Sequence, residues 1–265
     1  MLFRSLNLTN KTAIVCGSTQ GIGRATAIEL ALMGANVTLM ARNEATLQQT
    51  LSILDVSKNQ THRYIVADFS ESSIVKKAIE TYLGSFPEVH ILINNTGGPA
   101  GGPIVEAESE QFMKTFEMHL INNQILVQAV MPSMQKAGWG RIVNIISTSV
   151  KQPIVGLGVS NTIRWAVASW AKTLSLEIAK HGITVNNVLP GFTKTGRLEA
   201  VNNMRAKALN KNIEEYEKQV EAEIPIGRFA EAEEVAAAVA FLCSPAASSI
   251  NGINLPVDGG KTGSM

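Results

Sequence analysis

CGSTQGIG, residues 16–23, joins an apolar run, TAIVC (12–16), to a stretch of helical periodicity, GRATAIELALMG (23–34). Three glycines, Gly17, Gly21 and Gly23, let the chain turn tightly. They bring backbone close to any anion at the helix N-terminus, where unpaired N–H groups favour negative charge, as for a pyrophosphate. A glycine pattern alone is weak. Here a strand precedes it and a helix follows, which is the context that distinguishes a nucleotide cradle from an ordinary βα turn.

Moving outward, the same alternation continues. NVTLMA (36–41), HRYIVAD (62–68), VHILINN (89–95), RIVNIIS (141–147), ITVNNVLPG (183–191) and INLPVDGG (253–260) read as strands, with helical stretches between them. Short apolar strands joined by helices imply parallel βαβ units. After NVTLMA a polar helix is expected to about residue 57, and after TGGPAGGP (96–103) a long helix from about 109 to 137, with Pro132 placed to kink it. A helix opening near Ser160 ends at Gly182. The charged region 196–224 carries no strand signal. The expectation is one α/β unit over residues 1–265: a single-domain, Rossmann-type doubly wound parallel sheet of about seven strands, with helices on both faces.

Composition excludes several classes. Hydrophobic residues make up 45% and charged residues 17%, ample for a core. The net charge of +1 gives no electrostatic case for nucleic acid. Two cysteines, Cys16 and Cys243, suggest neither a disulfide framework nor a metal site. The start MLFRSLNLTNK has no apolar signal-peptide core, and no run reaches a membrane span. A reduced, soluble, cytoplasmic protein without membrane or metal is expected.

These motifs give the chain a family resemblance. GSTQGIG, the run Asn94-Asn95-Thr96-Gly97 after the fourth strand, Pro190-Gly191 with Thr195 after the sixth, and the tail GRFAEAEEVAAAVAFLCSPAASSINGINLPVDGG together resemble the short-chain dehydrogenase/reductase family, especially its 3-oxoacyl-carrier-protein reductase-like members. The resemblance runs nearly end to end. It implies a nicotinamide dinucleotide held by Gly17, Ser18, Thr19, Gln20, Gly21, Ile22 and Gly23. Asp68 would accept from the adenine amino group and Asn95, Thr96 and Gly97 would line the ribose side, with Phe69, Arg164, Pro190, Gly191, Thr193 and Thr195 also binding the cofactor. It also implies a homotetramer built on the helices near 109–137 and 160–181, which carry Phe112, Phe116, Ile125, Trp165 and Trp170; the same residues would suit a core. Residues 196–224 fall where the family has a variable substrate flap.

The second strand ends MARN. Ala41 stands where an acidic residue would accept from an adenosine ribose, and Arg42 follows, a guanidinium suited to a 2′-phosphate. NADP is therefore expected over NAD.

At the reaction centre the chain departs from the family, which normally uses Asn, Ser, Tyr and Lys. RIVNIIS puts Ser147 on the family's serine. Thirteen residues on (160 − 147), where Tyr-x-x-x-Lys belongs, this chain has Ser160 and Arg164. Alignment back from LVQAVMP puts His119 at the asparagine. A serine hydroxyl is a far weaker acid than a phenol, and an arginine above about pKa 12 holds its proton. His119 could shuttle protons, or be a supporting residue behind the site. Lys151 could reach a substrate or be a solvated loop lysine; Tyr216 could fold over the site or sit on the surface. A hydroxymethyl in place of a phenol leaves space that water or a bulky substrate group could fill. Two functions follow: an NADP-dependent oxidoreductase for a small carbonyl or alcohol substrate, with a 3-oxoacyl compound as the resemblance's candidate and altered acid/base residues, or a nucleotide-binding sensor or regulator without turnover.

Overall fold

The computed structural model describes residues 4–264; residues 1–3 and 265, the ends of the expected domain, lie outside them. Seven strands form one parallel sheet in the order β3-β2-β1-β4-β5-β6-β7. They are β1 Thr12–Cys16, β2 Asn36–Ala41, β3 Arg63–Val66, β4 Ile91–Asn94, β5 Gly140–Ile145, β6 Ile183–Pro190 and β7 Asn254–Val257. The helices are α1 Gly21–Leu32, α2 Glu44–Leu51, α3 Ser72–Ser85, α4 Ser109–Phe116, α5 Asn122–Ala137, α6 Gly158–Ile178, α7 Gly196–Ala208, α8 Ile213–Ala222 and α9 Ala232–Cys243.

Strand alternation sends successive side chains to opposite faces. In β1, Ala13 and Val15 pack with α1 (Ala27, Leu30), α2 (Leu47) and α9 (Val235, Val239). Ile14 and Cys16 pack on the other face with α3 (Val75, Ile79), α5 (Leu126, Val130) and α6 (Ala171, Ile178). Helices thus cover both faces, which a parallel sheet requires. The strand order reverses between β1 and β4, opening a crevice at their carboxyl ends where ligands bind in such sheets.

A row of asparagine amides crosses the sheet from the carboxyl end of β4 to the first residue of β7. Asn94, Asn144, Asn187 and Asn254 stand in register on β4 to β7. Each Nδ2 donates to the next Oδ1 at 2.8 Å. Buried amides need such partners, and the chain of bonds ties four strands together, starting at the crevice on β4.

Three expectations change. The helix after β2 ends at Leu51, with Ser52 at its C-cap. Pro132 lies within a continuous α5. The irregularity in the 109–137 stretch is instead a π-helical turn, Glu117–Ile121, between α4 and α5; such turns are rare and frequent at functional sites. The charged region 196–224 forms α7 and α8, and Tyr216 is neither a surface residue nor a cover for the site. It is buried in the flap's own core with Ala206, Val220 and Phe229, because α8 turns its apolar positions toward α7. Among the described residues no helix is long and apolar enough to cross a membrane, and no group of residues could hold a metal ion.

Candidate active site

The glycine turn is locked by close backbone approach. Gly17 and Gly21 adopt left-handed conformations (φ 58° and 50°). A Cβ on Gly23 would lie 2.1 Å from the Gly17 carbonyl oxygen, and one on Gly17 2.7 Å from Asn95 Nδ2. Asn95 Nδ2 donates to the carbonyls of Cys16 (3.2 Å) and Gly17 (3.3 Å), tying β4 to the turn. Ser18 is fully buried, its Oγ accepting from the Met40 N–H at 3.0 Å; its side chain secures the turn to β2. Thr19, Gln20 and Ile22 complete the loop into α1, whose N-cap Gln20 makes no side-chain cap. The leading N–H groups of α1 therefore stay available to an anion.

At the carboxyl end of β2, Arg42 is exposed and adds its charge to that of Asp68's surroundings. Hydrogen bonds from the Ser70 N–H and hydroxyl, both 2.9 Å, hold the Asp68 carboxyl below the usual carboxylate range, with Arg42 a smaller contribution. The Phe69 ring lies in the core beneath α3, and its carbonyl accepts from Asn122 Nδ2 at 2.7 Å, leaving only its main chain at the crevice. Across the crevice, Pro190 ends β6, and the Gly191 N–H donates to the Val257 carbonyl. Thr193 is buried against the Gly191 carbonyl. Thr195 caps α7 by accepting from the Leu198 N–H, and its Cγ2 lies 3.0 Å from the Cβ position of Gly21. The flap helix thus begins directly over the glycine turn.

The structure brings His119 and Arg164 together. Arg164, on α6, is 8% exposed. The β4–β5 register ends at Asn94–Asn144, so the Ile145 carbonyl lies past the last rung, and Arg164 Nη1 donates to it at 2.9 Å. Burial, with the nearby Arg197 charge adding, pushes the Arg164 guanidinium down to about 10; it remains a cation at neutral pH. His119, in the π turn, is 3% exposed and its Nε2 has no partner. Burial first, then the Arg164 charge, hold its imidazole well below its ordinary value, opposed by the Gly97 backbone. It is therefore neutral near pH 7.

Ser160 lies half-buried one turn before Arg164. Ser147 Oγ accepts from the Ser149 N–H at 3.1 Å, starting a short turn, Thr148–Val150, that Lys151 closes through its own N–H. Thr96 and Gly97 follow Asn95, and the Gly97 backbone meets His119 of the π turn.

One residue escaped sequence reasoning. Arg197, in the first turn of α7, donates from Nη2 to the Pro99 carbonyl at 2.5 Å. Its Nη2 and that of Arg164 lie 3.6 and 3.9 Å from the Cβ position of Gly98. A cation at a helix N-terminus opposes the helix dipole, and that misplacement two residues after Thr195 was the available signal.

The comparisons agree with this geometry. The family described as enoyl-(acyl carrier protein) reductase matches residues 17–262. A chloroplastic tropinone reductase homolog of Arabidopsis thaliana is 35% identical over 257 residues, 97% of this chain and 77% of the relative. The 3-oxoacyl-[acyl-carrier-protein] reductase of Vibrio cholerae is 30% identical over 255 residues, 96% of this chain and 98% of the relative. L-sorbose reductase from Gluconobacter frateurii, solved with NADPH and L-sorbose, superposes with a TM-score of 0.92 at 29% identity, covering 98% of this chain and all of that one (100%). YwfH, an NADPH-dependent reductase involved in bacilysin biosynthesis, superposes with a TM-score of 0.91 at 28% identity, covering 97% of this chain and 100% of that one. The glycine turn, the sheet order and the extent of these matches coincide, and the chain belongs to the short-chain dehydrogenase/reductase family of oxidoreductases.

Proposed function

We propose that the protein is an NADP(H)-dependent oxidoreductase acting on a carbonyl or alcohol substrate, with acid/base chemistry that does not use a tyrosine. The observation that carries this reading is the glycine turn, where main chain meets main chain at Gly17 and Gly23. That closeness excludes side chains at both positions and lets a pyrophosphate approach the main chain at the N-terminus of α1. When bound, the nicotinamide would supply or accept the hydride.

The protein's own residues have definable tasks. Arg42 would pair with a 2′-phosphate at the end of β2. Arg164, Asn95, Thr96 and Gly97 would flank the nicotinamide ribose. Ser147 and Ser160 would hydrogen-bond the carbonyl, with water filling the space a phenol would take. Arg164 keeps positive charge where an oxyanion develops, the kind of preorganised stabilisation that outweighs most other catalytic contributions. Neither Arg164 nor neutral His119 supplies a proton near pH 7, so water delivers it. The homotetramer stays part of the proposal, supported by Phe116 and Trp165, exposed on α4 and α6.

Two measurements test this. Calorimetric titration is expected to show NADPH bound at least about tenfold more tightly than NADH, since a 2′-phosphate gains a charge-assisted bond; equal heats with both would remove Arg42 from the account. The pH profile of kcat/KM is expected to vary less than about threefold from about pH 6 to about pH 9, because buried His119 stays neutral and Arg164 stays charged there. A limb near neutrality would return an acid/base role to His119. The second reading, a nucleotide-binding sensor, is favoured by that same lack of an acid poised near neutrality. NADPH binding without oxidation by any ketone would select it.

A further inference from the structure

A buried charge needs compensation, and two buried arginines differ in having it. Both leave Nε unpartnered. Arg141 has its guanidinium 4.2 Å from the Trp139 ring centroid and donates to the Gly140 and Gly182 carbonyls and to Ser248 Oγ. Arg164 has one hydrogen bond, to the Ile145 carbonyl. Among the described residues no carboxylate forms an ion pair with it, and the charge beside it is that of Arg197.

The two guanidinia converge on one point. Of the atoms near the Cβ position of Gly98, the three nearest are Arg197 Nη2 (3.6 Å), Arg164 Nη2 (3.9 Å) and Arg197 Nε (4.0 Å). Glycine at 98 leaves that point open. Arg197 stands at the helix end that repels cations, so an anion there would relieve the like-charge pair, the helix dipole and the uncompensated burial together. A second observation agrees: His119, packed beside Arg164, is 3% exposed with Nε2 unpartnered.

The surroundings are apolar. Ile104 and Met204 are 57% and 52% exposed. A Cβ on Gly101 would lie 3.3 Å from Leu157 Cδ2 and 3.7 Å from Met204 Cε. A backbone bridge between Gly102 and Leu157 holds the two loops together. Cationic nitrogens over Gly98 and aliphatic side chains at Gly101, three residues on, fit an amphipathic acid. With the cofactor's pyrophosphate at the N-terminus of α1 and its ribose on the unpartnered Arg164 Nε, the Arg164 Nη2 that faces Arg197 over Gly98 is left to the substrate.

We infer that the substrate is an oxo acid whose carboxylate sits between Arg164 and Arg197 over Gly98 and whose apolar body lies against Leu157, Ile104 and Met204. This rests on the oxidoreductase reading above. In the reduction, a hydride from NADPH adds to the ketone carbon, the carbonyl π pair moves to oxygen, and that oxygen takes a proton from water. The products are the hydroxy acid, NADP⁺ and hydroxide.

The test uses the full-length protein with NADPH, and 2-, 3- and 4-oxooctanoate beside their methyl esters. At least one acid is expected to exceed its ester by about 100-fold in kcat/KM, the size of a charge-assisted bidentate contact. Arg197→Gln reduces that preference to under about tenfold, and Arg197→Lys falls between the two, since lysine keeps the charge and loses the planar fork. Gly98→Ala, whose methyl would meet only ordinary contacts, lowers the acid rate more than about tenfold by filling the point of convergence. Equal rates for acid and ester overturn the inference. So does an Arg197→Gln protein that loses NADPH affinity with its preference intact, which would place a cofactor phosphate between the arginines. NADPH binding with no oxo acid reduced overturns the substrate class and leaves the cofactor reading standing; no NADPH binding overturns both.

Discussion

Gly23→Ala is expected to lower NADPH affinity by more than about 100-fold, the loss that follows when a preorganised anion cradle is pushed out of shape. The added Cβ would sit 2.1 Å from the Gly17 carbonyl oxygen and 2.7 Å from Asn95 Nδ2. The first of these is main chain, so no rotamer change relieves it. The turn must open by more than an ångström, which breaks the Asn95 bonds to Cys16 and Gly17 and moves the N–H groups at the start of α1. Overpacking of this kind also lowers stability by about 1–3 kcal/mol, visible as a fall in Tm. Gly84→Ala in α3 is the control. Nothing lies within 4 Å of its Cβ position, and alanine is the better helix former by about 1 kcal/mol. The comparison is calorimetric titration and thermal melting of all three proteins. A Gly23→Ala protein that binds NADPH within about threefold of the parent would show that the close approach has no part in binding.

Arg164→Met is expected to lower turnover by about 10²–10³-fold, the usual effect of removing one donor aimed at developing negative charge. Stability is expected to move the other way. The guanidinium is buried without a carboxylate partner, with a second cation nearby, and removing it relieves a desolvation cost of several kcal/mol. Against this, the Ile145 carbonyl loses its donor, which costs about 1–3 kcal/mol. The net expectation is a gain of about 1–2 kcal/mol, read by denaturant titration of the cofactor-free protein, with activity lost. A protein that loses stability together with activity would make Arg164 a structural residue. Activity retained with methionine at 164 would remove it from the site.

The sequence by itself determined the fold. Strand alternation, glycine spacing and helix periodicity are local properties, and each of the seven parallel strands overlaps a run legible in advance. The same holds for the glycine turn, for the Ser160 and Arg164 replacements, and for the position of Arg42. Local rules failed where bonding is not local. Pro132 was accommodated within α5, and the break fell at Glu117–Ile121, which no propensity marks. Tyr216 read as a surface residue or a cover for the site because its partners, Ala206 and Phe229, belong to a separate core formed only when α7 and α8 close on each other. Four asparagines between 94 and 254 became one hydrogen-bonded row only through strand register.

The electrostatics of the site belonged to the tertiary structure alone. His119, Arg164 and Arg197 are separated by 45 residues (164 − 119) and 33 residues (197 − 164) and lie on three different elements. The convergence of Arg164 and Arg197 over Gly98, with His119 at the Gly97 backbone, sets which charges go uncompensated, because burial and charge proximity depend on distance through space, and sequence spacing carries no record of that distance once the chain has folded.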